Sequence, residues 1–591
     1  MDPDHLNLLK KAQAQGQSGN AIGASESLLE FLNLVPGHVG AWVALAGHLL
    51  KLGKVEKAQN ALETSLDLDP HNLSARVNLA AVLMRRGQFA ECQEQLGIIL
   101  KTDARRVDAL LLLAQCLLNL GDLEGAQQIL DGISHGESPK KTPSALQIQH
   151  AELWAILSLG LFEAQKFGAA TDACHRALQL HPRNFTAGAN LGSILMAQGD
   201  LTKAEEIFRE LVANQPARER GRLLLITCLS RKGDLVATNH EIESVLRLAP
   251  TNFTVHKSVL ATFYNLGFWE EYRAEIERFR IVDPTSAHPE YEHSFVDLLF
   301  GDMLRGWRRY EARLRLSTEA ARFAQPAWDG KPFAGKTLLL WAEQGFGDTF
   351  MFIRYLPHVK ALGGRIILET QPALETVAAT STGADLVVPK GAALPPFDLQ
   401  LPLMSLPFIF ETDLSSIPAE IPYLDIPSVV PHQQELLERL TLNQESTRIG
   451  IVWAGRSEYG RDFERSLPAA ALAPLEALPG VAWFSLQLGR EGLPPLPNLV
   501  SLASLLKNFA DTAYALSALD LVITVDTSVA HLAGALGVPT FLLLPFQPDF
   551  RWMLNRHDSP WYPTMRLYRQ PAYGDWESVI RQVVVDLTPE S

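Results

Sequence analysis

Apolar and small residues in the first half of the chain recur on a 34-residue frame. Leu45, Leu79, Leu113, Leu157, Leu191 and Leu225 hold one position of that frame. Ala58, Ala126, Ala170 and Ala204 hold a second, and Trp42 and Trp154 a third. Turn residues keep the same phase: Pro36 and Pro70 are 34 apart, as are Pro182, Pro216, Pro250 and Pro284 in succession. A glycine stands 17 residues before the proline position at Gly19, Gly53, Gly199, Gly233 and Gly267. Gly87 and Gly121 hold the phase where Ala104 and Ser138 replace proline, and the register then slips by ten residues around Gly136–Ala145. The pattern predicts one helical hairpin per repeat. Glycine supplies the left-handed residue that ends the first helix, and proline stops the second. The recurrent alanine marks a close approach of two helices.

This periodicity resembles the tetratricopeptide repeat, in eight units over roughly residues 5–286. Gly301, 17 beyond Pro284, predicts a ninth, degenerate unit with Gly306–Arg315, capping the array. Such solenoids commonly bind a protein or peptide on their concave face, which is the expected use here. Self-association or spacing is the competing use.

After Arg322 the period changes. Phe323–Lys336 is rich in Gly, Pro and aromatic residues and reads as a linker. Short continuous apolar runs then alternate with helical patterns, as buried parallel strands do. Strands are predicted at Thr337–Ala342, Arg365–Glu369, Arg448–Trp453, Val481–Leu486, Leu521–Val525 and Thr540–Leu544. Helices are predicted over Thr349–Ala361, Gln433–Leu440 and within Asp526–Gly537. Leu394–Phe410 is apolar, but Pro395, Pro396, Pro402 and Pro407 reduce it to loop and short strand. Two consecutive βα sets predict two Rossmann-like lobes facing a cleft. The expected domains are residues 1–322 (repeats), 323–430 (first lobe, acceptor side) and 431–591 (second lobe, nucleotide-sugar side).

Composition narrows the function. The 591 residues carry a formal charge of −14, which argues against nucleic acid as a partner. No uninterrupted apolar run of about 18 residues predicts a spanning helix, and the N-terminus lacks a secretory pattern. Cys92, Cys116, Cys174 and Cys228 have no metal-binding spacing and read as buried thiols in a reducing cytoplasm.

Ligands of open α/β sheets bind beyond the carboxyl ends of the strands. Three turns occupy that edge. In the first, Gly345 and Gly347 permit close backbone approach, and Asp348 reads either as a general base on an acceptor hydroxyl or as a helix cap. In the second, Asp526, Thr527 and Ser528 open a helix whose free N–H groups suit a diphosphate, with His531 one turn on. Here Asp526 as a plain cap and His531 as a packed residue weigh equally. The third turn follows Gly455 and gathers Arg456, Arg461 and Arg465, whose guanidinium groups suit phosphate. Glu458, Asp462 and Glu464 could neutralise them instead.

WAEQGFGDTFMFIRYLP, IGIVWAGR with RDFERSLP, and ITVDTSVAHLAGALGVPTFLLLPFQPDFRWM together resemble the bacterial glycosyltransferase family 9 pattern, over roughly residues 335–587. That family includes the heptosyltransferases and has the two-lobed GT-B fold. The resemblance implies inverting transfer from a nucleoside-diphosphate sugar, without a metal or other cofactor, to a protein, peptide or glycan acceptor. It maps the base onto Asp348, and donor contacts onto Gly345, Gly347, Gly455, Asp526, Thr527, Ser528 and His531. The family's lysine after the first strand of the second lobe has no lysine counterpart. Arg461 and Arg465 are the nearest basic residues, with Ser466 following, so heptose is not implied as the sugar. The rival expectation is a non-catalytic repeat scaffold with a degenerate or nucleotide-sugar-sensing module.

Overall fold

The computed structural model describes residues 2–133, 143–441, 446–456, 462–490 and 492–588. Most of the expected register slip at Gly136–Ala145 lies outside them. The chain forms two compact units, Met1–Ala249 and Pro250–Ser591. The expected boundary at 322 therefore marks where helices give way to strands rather than where the units divide. The last repeats belong to the second unit.

The first unit is helical hairpins from Pro3–Gln17 to Leu235–Leu248. The repeated residues explain each hairpin. Gly19, Gly53, Gly87, Gly121, Gly199 and Gly233 all have left-handed φ, between 72° and 86°. The aspartate after several of them caps the next helix: Asp122, Asp200 and Asp234 accept the N–H of Gly125, Lys203 and Ala237. Asn72 and Asn184, two residues beyond Pro70 and Pro182, cap the helices that follow those stops. Ala58, Ala126, Ala170 and Ala204 are fully buried, as is Cys92 at the same frame position. The four cysteines are buried and unbridged.

The second unit opens with two more helical pairs, Phe253–Leu266 with Trp269–Val282 and His288–Leu299 with Met303–Tyr310. The first sheet follows, with β1 (Thr337–Trp341), β2 (Arg365–Thr370), β3 (Leu386–Pro389) and β4 (Leu399–Pro402). Its order is β3-β2-β1-β4, all parallel. The second sheet contains β5 (Thr447–Val452), β6 (Val481–Ser485), β7 (Val500–Ser501), β8 (Leu521–Val525), β9 (Thr540–Leu544) and β10 (Met565–Arg569). Its parallel order, β10-β9-β8-β5-β6-β7, is that of a doubly wound dinucleotide-type fold, with the reversal between β5 and β8. Both faces of β1 are covered. Leu338 and Leu340 join the large core, while Leu339 and Trp341 pack on the other side with Ile367 and Val388. That double burial is why the strand is continuously apolar.

The helix expected at Thr349–Ala361 is broken into Phe346–Phe352, a 3-10 turn at Ile353–Tyr355, and Leu356–Ala361. Pro357, which has no N–H to donate, sits at the first turn of the last piece. One apolar cluster runs from Leu298 and Trp307 of the helical pair through both sheets to Leu567. No described helix is long and apolar enough to cross a membrane.

Candidate functional site

The site is built from four turns at the carboxyl edges of β1, β5, β8 and β9. After β1, Gln344 takes a left-handed φ of 57° and turns the chain into the helix Phe346–Phe352. Gly345 donates its N–H to Asp348 Oδ2 at 2.8 Å. The capping role of Asp348 is thus real, and it occupies only one carboxylate oxygen. The other, Oδ1, is bonded to the guanidinium of Arg551, from the turn after β9. Gly347 has no room for a side chain: a Cβ would lie 2.6 Å from Cδ2 of His531. Two of the expected turns, one on each lobe, therefore touch.

After β8, Thr527 precedes the helix Ser528–Ala535 without making a side-chain cap. The first N–H groups of that helix have no partner within it, and Thr527 and Ser528 are half-buried. Burial, and next the charge of Asp549, push the Asp526 carboxyl up to about 6 against the pull of Arg465. His531 is buried and stacks on Trp552 at 5.3 Å between ring centroids. Its Nδ1 lies 2.9 Å from the Tyr562 hydroxyl, and its Nε2 lies 3.9 Å from Asp526 Oδ1. Burial, then the charges of Arg551, Arg354 and Arg465, hold it well below 6.5. His531 is neutral at pH 7 and bears one ring proton. Packing and placement beside Asp526 both describe it.

After β5, Asp462 gathers the turn. It accepts Arg465 Nε at 3.2 Å and the Ser466 hydroxyl at 2.9 Å, and pairs with Arg490. Ser466 in turn accepts the Gly455 N–H at 3.0 Å. A Cβ on Gly455 would collide with Asp462 and Arg465. Arg465 NH1 reaches the Asp526 carbonyl at 2.8 Å. Asp462 is therefore shared by Arg465 and Arg490, while Arg465 still reaches the β8 turn. Arg456 lies over the Phe346 ring at 5.1 Å. Arg461 lies outside the described residues.

Sequence reasoning missed Arg551, Asp549 and Arg490. Arg551 is 7% exposed. Its NH1 bonds Asp549 Oδ1 at 2.6 Å, its NH2 bonds Asp348, and its Nε has no hydrogen-bond partner among the described residues. An arginine between Phe550 and Trp552 in an apolar run was the available signal, since such a charge is buried only when paired.

The helical pairs of the second unit hold these turns from behind. Arg313, 5% exposed, bonds Glu343 through Nε at 2.8 Å and NH2 at 2.6 Å, and Glu311 through NH1 at 2.6 Å. Gln344 donates to the Tyr310 hydroxyl at 3.1 Å, and Tyr264 donates to the Pro548 carbonyl at 2.9 Å. In the first unit, the described residues include a hollow of about 360 Å³ lined by Gln127, Asp131, Trp154, Asp172, His175 and Arg176.

Comparison with known proteins bears on the repeats. Tetratricopeptide-repeat family models match residues 49–111 and 161–237, and residues 108–133. Protein FlbA of Caulobacter vibrioides is 27% identical over 444 residues, covering 68% of this chain and 72% of FlbA. Among solved structures, a tetratricopeptide repeat protein of Parabacteroides merdae is 14% identical, with 44% of this chain and all of that one covered, at a TM-score of 0.33. Pseudomonas aeruginosa PilF is 19% identical, with 37% of this chain and 95% of that one covered, at a TM-score of 0.31. Residues 49–133 and 161–237 thus carry tetratricopeptide repeats, and an α/β region of parallel sheets follows the helices.

Proposed function

We propose that the α/β region is an inverting GT-B glycosyltransferase of the family 9 type, and that the repeats recruit its protein acceptor or a partner. One observation carries the reading. Asp348, at the carboxyl edge of the first sheet, is bonded to Arg551 of the turn after β9, and its own turn meets, at Gly347, the His531 ring of the turn after β8, where Asp526, Thr527 and Ser528 also stand. A nucleoside diphosphate fits the N-terminus of the helix Ser528–Ala535, with Thr527 and Ser528 donating hydroxyls and Arg465 alongside. Asp348 faces it as the proton acceptor for an incoming hydroxyl. The leaving diphosphate needs a cation, and arginine supplies one there without requiring a metal. Neither the sugar nor the base of the nucleotide is specified by these residues.

The ion pair on Asp348 favours a second reading, a scaffold that senses a nucleotide sugar without turning it over. The two separate in one experiment. The full chain is screened against UDP-, GDP-, ADP- and dTDP-sugars for binding, then for hydrolysis and transfer. Turnover that falls at least about 100-fold in Asp348→Asn, with binding kept, supports the transferase. Binding without turnover of any donor supports the sensor, and full turnover in Asp348→Asn removes Asp348 as base.

A further inference from the structure

We propose that Arg551 is an exchangeable cation: without donor it clamps Asp348, and the donor's diphosphate draws it away, so that donor binding frees the base. This rests on the transferase reading and adds the residue and the order of events.

The charges force the exchange. Three carboxylates, Asp348, Asp526 and Asp549, surround this part of the cleft, and Arg551 bonds two of them. Arg465 is already shared with Asp462. A diphosphate entering beside those carboxylates brings two or more further negative charges among them. Like charges at such range repel by several kcal/mol, so a cation must turn toward it. Arg551 is placed to do so. Among the described residues its buried Nε–H has no acceptor, a donor left over while NH1 and NH2 are engaged. Asp549 holds it through both its backbone N–H at 3.0 Å and NH1 at 2.6 Å. That anchor keeps the side chain in the cleft when the Asp348 contact opens.

The chemical consequence follows directly. With Arg551 on Oδ1 and the Gly345 N–H on Oδ2, both carboxylate oxygens of Asp348 are engaged. Once Arg551 turns to the diphosphate, Asp348 Oδ1 is open to the acceptor hydroxyl. It takes the proton of the acceptor hydroxyl as that oxygen's electron pair forms the bond to the anomeric carbon. The bond from that carbon to the diphosphate oxygen breaks, and its electron pair leaves with the diphosphate, next to Arg551. An acceptor meeting the enzyme without donor finds no free base.

Calorimetric titration of the full chain with UDP, GDP, ADP and dTDP tests this, using wild type, Asp348→Asn, Arg551→Met and the double variant. For the diphosphate that binds, Asp348→Asn should bind about tenfold tighter, because Arg551 loses its competitor. In the Arg551→Met background the same change should alter affinity less than about twofold. Equal gains in both backgrounds, or no gain in either, overturn the exchange while leaving donor binding intact. If Arg551→Met does not melt cooperatively, Arg551→Lys replaces it. Lysine lacks the fork that would keep one nitrogen on Asp549 while another turns to a phosphate, and at least a tenfold loss is expected; wild-type affinity overturns the proposal. If no diphosphate binds to wild type or to Asp348→Asn, the donor reading falls and the exchange with it.

Discussion

Asp526 shows how one residue's environment can work against the fold. Its carboxyl, ordinarily near 3.8, is pushed up to about 6 by burial and by Asp549. The unfolded chain releases that proton at the lower value, so between the two the folded state holds more protons and stability falls as pH rises. Above pH 6 the whole cost remains, about 3 kcal/mol at 1.36 kcal/mol per tenfold change. Asp526→Asn keeps the shape and removes the charge. It should leave thermal stability unchanged near pH 4 and raise it progressively to a plateau above pH 6. A variant no more stable than wild type at pH 8 would sink the account. Asp526 and His531 were legible because they are neighbours in sequence on one strand-to-helix turn. Arg551 was not, since its partner Asp348 is 203 positions away and only the paired sheets bring them together. Gly347 lies between these cases: its place in a turn was readable, but the His531 ring that excludes a Cβ there was not.

Among the elements, the hairpin turn was the most legible because its backbone admits few residues. Left-handed φ favours glycine, so the glycine period mapped directly onto the helix ends. The turn of the repeat that follows the ten-residue slip departs from this. Gln165, between the helices Ala145–Glu163 and Phe167–Leu180, takes a φ of 59° with a side chain in place. A left-handed residue with a Cβ costs about 1–2 kcal/mol, part of which glycine returns through its freer unfolded chain. Gln165→Gly should therefore stabilise the repeats by about 0.5–1 kcal/mol, read as a higher urea midpoint. Gly199→Ala is the mirror experiment. Its φ is 86° and an added Cβ meets no atom within 4 Å, so a loss of about 1 kcal/mol would be backbone strain alone. If Gln165→Gly weakens the repeats, the side chain contributes more than its strain. The βα elements were less legible at their ends. The expected helix Thr349–Ala361 is in three pieces, with Arg354, 2% exposed, in the middle one and Pro357 opening the last. The Arg354 Nε bonds the Met351 carbonyl at 2.8 Å and its NH2 the Tyr423 hydroxyl at 2.9 Å. Periodicity alone does not reveal an inward arginine.

At the scale of the molecule, the division between repeats and α/β region is chemical rather than only sequential. The change of pattern at Arg322 separates helices from strands, yet the core of the α/β unit reaches back across it. Trp307 is 1% exposed and lies edge-on to Phe352, Phe550 and Trp561, with centroids 5.9, 5.9 and 6.1 Å away. Arg313 supplies the charge that the buried Glu343 needs, immediately before the turn that carries Asp348. A chain beginning at Phe323 would lose both. Emptying a buried aromatic position costs about 3–5 kcal/mol, and leaving a buried charge unpaired costs a similar amount. Together they consume most of the 5–15 kcal/mol that typically holds a folded protein. Residues 323–591 should therefore bind hydrophobic dye and melt without cooperativity, whereas residues 250–591 should give one sharp thermal transition. The same contrast should appear in donor binding, because the turns carrying Asp348 and Pro548 are held by Arg313 and Tyr264 of the retained helices. A cooperative, nucleotide-binding 323–591 fragment would show that the last repeats are spacers, and that the site is complete without them.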